Sequence, residues 1–385
     1  MRFWQRLFGD TPSQHEHPPA DEEIGQPGDS ADEIEGVRPA LQRDTSLDRE
    51  LFGAAENGNA SLCLSLIESG ADVNYSGSMS ETPLHKACSK GHHVVVELLL
   101  ASGANIFARN QGTRSNPDGD SPLVVSLGWT ENHATVARYL LSKGALKRES
   151  ENGLARLLYW AVRGGHQDTL DLVLAKGGNV NYIYRGDSDR TPLHLAASFG
   201  HIEIVKRLMQ QGADCLAMSE GGRGEIPLQS SLLNDHGKIS DILVEASLAQ
   251  RNINGETALH LVAKSTYNIS TKAVQLLIDH QADVNAKDKM GLTPLHWASA
   301  DRSERGLGIM KLLLDNGADV NARGKDGWTA LHMAAKNDSP KGVELLIASG
   351  ADVGARDVNG KMPEAVGGSV AMLLSLEVRR KAAGK

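Results

Sequence analysis

The sequence predicts an α-solenoid, a stack of small helix-turn-helix units, and three observations predict it. A tetrapeptide recurs along the chain: Thr82-Pro83-Leu84-His85, Thr191-Pro192-Leu193-His194, Thr257-Ala258-Leu259-His260, Thr293-Pro294-Leu295-His296 and Thr329-Ala330-Leu331-His332. Worn copies fill the gaps at Ser121-Pro122-Leu123-Val124, Arg156-Leu157-Leu158-Tyr159 and Ile226-Pro227-Leu228-Gln229. The fourth position therefore advances in steps of 31 to 39 residues, a period that belongs to stacked repeats and not to one globular core.

The stretch Asp189–Cys215 shows why each unit folds as it does. Thr191 suits a helix N-cap, and Pro192 suits the first helical position, where no N–H is needed. Leu193, Ala196 and Ala197 give a short helix with a thin apolar face, and the alanines let a neighbouring helix come close. Gly200 breaks that helix. Ile204, Val205, Leu208 and Met209 then mark a second helix by their spacing, and Gly212 supplies the left-handed residue that ends it. About ten such units follow one another, starting near Asp48, Glu81, Asp120, Gly153, Asp189, Gly224, Gly255, Gly291, Gly327 and Gly360. Arg49, Glu50, Glu56 and Asn57 make the first a polar cap. The last is short and runs into Glu377, Arg379, Arg380 and Lys381.

The tetrapeptide copies, with Gly70–Asn74, Gly317–Asn321 and Gly350–Asp352 downstream and variants at Gly177–Asn181 and Gln281–Asn285, resemble ankyrin repeats over roughly residues 48 to 377. The resemblance implies two antiparallel helices and a β-hairpin-like finger per unit, stacked into a curved solenoid. It further implies that the motif histidines hydrogen-bond within and between repeats, and that partners bind the concave side formed by fingers and first helices.

Four segments are expected: a short amphipathic stretch at 1–9, an acidic linker at 10–47, the solenoid at 48–377 and a basic tail at 378–385. In the first, Phe3, Trp4, Leu7 and Phe8 share one helical face. Residues 10–37 hold nine Asp or Glu and no Lys or Arg, a composition unable to bury enough apolar surface to order itself. The net charge of −8 argues against a nucleic-acid partner. Cys63, Cys88 and Cys215 lack metal-ligand spacing, and Cys63 and Cys88 are expected in the core. No cofactor is expected.

Candidate binding residues come from departures in the pattern. Trp129 lies in a turn widened by about two residues in the repeat at Asp120. The finger before Thr191 reads Asn181-Tyr182-Ile183-Tyr184-Arg185, and Tyr75 holds the place equivalent to Tyr182. With Arg163 and Phe199 these side chains suggest an aromatic–basic patch, because Tyr, Trp and Arg join large contact area to a polar handle. Arg109 opens a long finger, Arg109–Gly119. The repeats at Gly255 and Gly291 carry about three extra residues between helices, at Ser265–Ile269 and Asp301–Arg305. The repeat at Gly224 lacks both the motif histidine and the Gly-Ala-Asp end, which marks it as a soft spot or a kink.

No phosphate loop, His-Glu-x-x-His or Gly-x-Ser-x-Gly is present, so the expected function is a non-enzymatic protein-binding scaffold, monomeric and cytoplasmic. Two other readings stay open. One is an adaptor held at a membrane, or in a partner's groove, through residues 1–9. The other is an inhibitor or immunity-type protein that blocks an enzyme.

Overall fold

A computed structural model describes residues 45–112, 118–128, 130–184, 189–219, 224–265 and 268–383. The amphipathic segment 1–9, nearly all of the linker, Trp129 and Arg185 lie outside the described residues.

Among the described residues ten helix pairs succeed one another. They are α1 (Ser46–Glu56) with α2 (Ala60–Glu68), α3 (Pro83–Lys90) with α4 (His93–Ala101), and α5 (Pro122–Val125) with α6 (Glu131–Ser142). Next come α7 (Glu151–Gly164) with α8 (Gln167–Ala175), α9 (Pro192–Phe199) with α10 (Ile202–Gln210), and α11 (Pro227–Leu233) with α12 (Gly237–Ser247). The stack ends with α13 (Ala258–Lys264) and α14 (Ser270–Asp279), α15 (Pro294–Ser299) and α16 (Glu304–Asp315), α17 (Ala330–Lys336) and α18 (Pro340–Ala348), and α19 (Pro363–Val366) and α20 (Ala371–Ala383). First helices pack on first helices of the next unit, and second on second, so contacts run between neighbours.

The core is one continuous file. First helices contribute small residues such as Ala87, Ala196, Ala197, Ala298 and Ala334, and second helices contribute larger ones such as Leu99, Leu208, Leu277, Leu313 and Leu346. Each fully buried leucine stabilises the stack by about 2 kcal/mol. At Gly200, φ is +77° and a Cβ would come within 2.7 Å of the His236 ring, so the residue serves both as helix stop and as seat for the next repeat. Cys63, Cys88 and Cys215 are buried and free. Burial pushes all three thiols up, that of Cys215 to about 11, so none is a reactive thiolate at neutral pH.

The fingers are hairpin-like turns and not extended ladders. Asp288 N–H closes on the Leu292 carbonyl at 2.9 Å, Gly324 on Trp328 at 2.9 Å and Asp357 on Lys361 at 2.9 Å. An isolated antiparallel bridge joins Tyr184 to Arg190.

Two units depart from the spacing read in the sequence. The first helix of the third repeat, α5, is a single turn of 4 residues. Ser126 donates its hydroxyl to the Leu123 carbonyl at 2.7 Å, and Gly128 follows before Thr130 caps α6. The first helix of this repeat is thus shortened, not merely followed by a wider turn. In the fourth repeat the worn copy Arg156–Tyr159 does not mark the start of the helix. The helix opens instead at Glu151, capped by the Ser150 hydroxyl on Gly153 N–H, and runs for 14 residues.

Candidate functional site

The five motif histidines form a structural ladder. Nε2 lies 3.1 Å from the Asp120 carbonyl in His85, 3.0 Å from Glu225 in His194, 3.1 Å from Leu292 in His260, 3.1 Å from Trp328 in His296 and 3.2 Å from Lys361 in His332. A carbonyl only accepts, so Nε2 carries the proton. Nδ1 then accepts from the threonine N–H and hydroxyl of its own repeat, as at Thr191, where the hydroxyl is 2.8 Å away. Burial holds all five imidazoles below their ordinary pKa, with His194 at about 4, so they are neutral pegs and not acids or bases at neutral pH.

A second histidine series, absent from the sequence reading, ties four of the second helices back to the preceding unit. His92, His133, His201 and His236 donate Nε2–H to the carbonyls of Glu56, Ser89, Arg163 and Ser198 at 3.0 to 3.1 Å. Two of the four follow a break glycine, in Gly91-His92 and Gly200-His201, while His133 and His236 follow Asn132 and Asp235. An asparagine seam completes the links. Asn74, Asn181, Asn285 and Asn321 each donate a side-chain N–H to the glycine carbonyl one repeat on, and each accepts a backbone N–H two residues later.

Where a histidine is missing, other chemistry fills its place. In the sixth repeat the Gln229 carbonyl accepts Ile226 N–H at 3.1 Å, and its amide donates to Ser265 and Ser270 of the next unit at 3.1 and 3.0 Å. The extra residues of the seventh repeat supply Ser265, and the first residue of α14 supplies Ser270. In the third repeat Glu149, buried at its side chain, accepts from Ser121 at 2.6 Å and pairs with Arg109 at 2.9 Å. In the fourth repeat, counted back from the left-handed Gly165, Tyr159 occupies the histidine position. Its ring stacks on Tyr184 of the next finger at 4.5 Å and 23°.

That stack is the base of the candidate site. Arg163, one turn along α7, donates to the Tyr159 hydroxyl at 2.9 Å, and its guanidinium lies 6.0 Å from the Tyr159 ring centre and 5.4 Å from that of Phe199. Phe199, at the end of α9, is 42% exposed. The structure therefore unites Arg163, Tyr184 and Phe199, as the sequence suggested, and adds Tyr159, which the repeat pattern hid as a worn histidine.

The other candidates are placed elsewhere. Tyr182 is half-buried at the turn before Tyr184, with its N–H on the Asn179 carbonyl at 3.0 Å. Tyr75 sits at the N-terminal end, edge-on to Phe52 at 6.4 Å, with Lys86 over the Phe52 ring at 5.4 Å. Arg109 is occupied: besides Glu149 it donates to the carbonyls of Gly119 and Arg148 at 3.3 and 2.9 Å. Arg251 repeats that clamp on Gly255 and Lys287, both at 2.9 Å. Among the described residues no cluster of three or more His, Cys, Asp or Glu is arranged for a metal, and no helix is long and apolar enough to cross a membrane.

This geometry is that of a helical repeat solenoid. The ankyrin-repeat family model matches residues 51–152, 146–219, 228–324 and 270–357, and the chain belongs to that family. It is 26% identical over 245 residues to transient receptor potential cation channel subfamily A member 1 of Homo sapiens, covering 52% of this chain and 21% of that protein. It is 34% identical over 165 residues to the putative palmitoyltransferase ZDHHC13 of Danio rerio, covering 41% of this chain and 24% of that protein. With E3 ubiquitin-protein ligase KEG of Arabidopsis thaliana it shares 25% over 260 residues, 64% of this chain and 15% of that protein. The chain thus spans a quarter or less of these relatives' lengths. Ankyrin repeats are in general protein-interaction modules and are typically non-enzymatic.

Proposed function

We propose that this chain is a non-enzymatic scaffold whose solenoid, residues 48–377, binds a protein partner on its concave, finger-lined side. The surface formed by Arg163, Tyr184 and Phe199 over Tyr159 is the centre of that contact. The observation that carries the reading is the guanidinium of Arg163 held between two aromatic rings while Phe199 stays exposed. Such an arrangement offers flat apolar area and fixed N–H donors with little ordering cost on association. Residues 1–9 and 10–47 then act as an attached segment and its tether, and 378–385 as a basic tail.

The test is affinity capture followed by mass spectrometry, comparing the intact chain with Arg163→Ala/Phe199→Ala. Phe199 is exposed and Arg163 half-buried, so the variant is expected to stay folded, which its denaturant midpoint checks before capture. A partner captured by the intact chain and lost from the folded variant supports the reading. A partner retained in full places the contact elsewhere.

A further inference from the structure

The fingers of the last four repeats make a face of different character. Their tips are fixed to one another by backbone bonds, Lys289 N–H to Asn254 carbonyl at 2.8 Å, Lys325 to Met290 at 2.8 Å and Val358 to Asp326 at 2.9 Å. Apolar tips stand out from it: Ile253 is 86% exposed, Val358 69% and Met290 46%. Around them Lys289, Lys325, Lys336 and Lys361 are exposed. Two acids of these fingers are turned inward, while Asp283, Asp319 and Asp352 stay exposed and Asp326 is half-buried. Asp288 and Asp357 are buried, with their carboxylates taken by N–H groups of their own turns at 2.8 to 2.9 Å.

Within this face a cleft of about 200 Å³ opens between Met290, Leu292, Trp328 and Met333, with Lys336 and Asn359 at its rim and Asp326 in its wall. Lys336 lies 5.0 Å above the Trp328 ring, so the rim is cationic and the floor apolar. A pocket of that size accepts one branched aliphatic side chain, and the lysines around it favour a segment rich in carboxylates.

We propose that this face binds an acidic peptide carrying an isoleucine anchor, and that the occupant is residues 21–35 of a second copy of this chain. That segment holds seven Asp or Glu, no Lys or Arg, and two acid-flanked isoleucines, in Asp21-Glu22-Glu23-Ile24 and Asp32-Glu33-Ile34-Glu35. It complements the face in charge and supplies the anchor. Reach selects the second copy for Ile34, the anchor nearer the solenoid. Ile34 is eleven residues from Thr45, roughly 40 Å at full extension. Eight helix-to-helix intervals of about 8–10 Å separate the first repeat from the ninth. Ile24, 21 residues from Thr45, spans about 75 Å and meets that distance only when fully stretched. The contact is heterologous, so it links copies head to tail.

The experiment uses the full chain with a photo-cross-linking residue at Ile34, in an equal mixture of isotope-labelled and unlabelled protein. Cross-links between labelled and unlabelled copies that map to residues 289–361 are expected, falling as salt is raised. Lys289→Glu/Lys325→Glu is expected to weaken self-association by sedimentation roughly tenfold. Mixing it with Glu33→Lys/Glu35→Lys is expected to restore the association, since each variant keeps one compatible half. Cross-links confined to one copy, cross-links mapping outside the face, or an association indifferent to both charge reversals would each overturn the proposal.

Discussion

The repeats before and after Thr257 differ at one position, the residue that precedes each helix-opening Thr, Ser or Ile. From the second repeat to the seventh it is Glu81, Asp120, Glu149, Arg190, Glu225 and Glu256. These charges are paired, with Glu81 on Lys86 at 2.9 Å, Glu149 on Arg109 at 2.9 Å, Glu225 on Arg190 at 2.9 Å and Glu256 on Lys264 at 2.6 Å. In the last three repeats it is Leu292, Trp328 and Lys361. Since its carbonyl takes the histidine proton whatever the side chain, the position tolerates both solutions. The lesson is that stacking depends on a backbone acceptor, which leaves the side chain free to serve either an interior ion pair or an outward surface. The basic finger face exists because the later repeats took the second course.

Acidity breaks the comparison most strongly. Each motif histidine has a folded pKa below the imidazole value, so the unfolded chain binds the proton more readily. The stability this represents is whole above about pH 6.5 and is lost as pH falls through that value toward the folded one, at up to about 1.4 kcal/mol per pH unit for each histidine. For His194 the loss continues to about pH 4. Urea midpoints at pH 7, 6 and 5 should fall steeply, and hydrogen exchange should show α9 and α15 opening before the Gln229-linked α11. A flat midpoint over that range would mean the ladder contributes little.

Next in size is the charged position itself. Glu225→Ala removes the buried carboxylate that pairs with half-buried Arg190 and accepts the Ser230 hydroxyl, and should cost about 1–3 kcal/mol in denaturant unfolding. Lys361→Ala, at the same place in the last repeat, should stay within about 0.5 kcal/mol. Equal losses would dissolve the distinction between the two halves. Gln229→Ala leaves Ser265 and Ser270 without their amide and should cost about 1–3 kcal/mol. The smallest effect is expected from Tyr184→Ala, which removes a ring stack worth about 1 kcal/mol beyond its area, seen as faster exchange at α7 with the rest of the stack unmoved.

Most of the fold was legible because its signals are local. A Thr-Pro-Leu-His run specifies a cap, a helix start and a core leucine within four residues, and break glycines specify ends. What was hidden depends on a neighbour 25 or more residues away. Nothing near Gln229 says that two serines of the next repeat will meet its amide. The worn copy Arg156–Tyr159 places Tyr159 in the histidine row, but nothing near it shows that its ring will stack on Tyr184 of the next finger. The candidate patch was half legible for the same reason: Arg163 and Phe199 could be named from composition, while the ring that joins them could be placed only by the stack.

The asparagine seam has a mechanical meaning. A pull on the two ends of the molecule passes through every interface in series, so the weakest junction sets the force at which the stack first parts. Asn285 and Asn321 rivet two successive junctions near the C-terminal end. Between Asn74 and Asn181, and again between Asn181 and Asn285, the equivalent places hold other residues, Phe107 and Leu216 among them. Under tension the middle of the spring is expected to yield first, and it would lengthen there while the riveted end still carries its fingers in register.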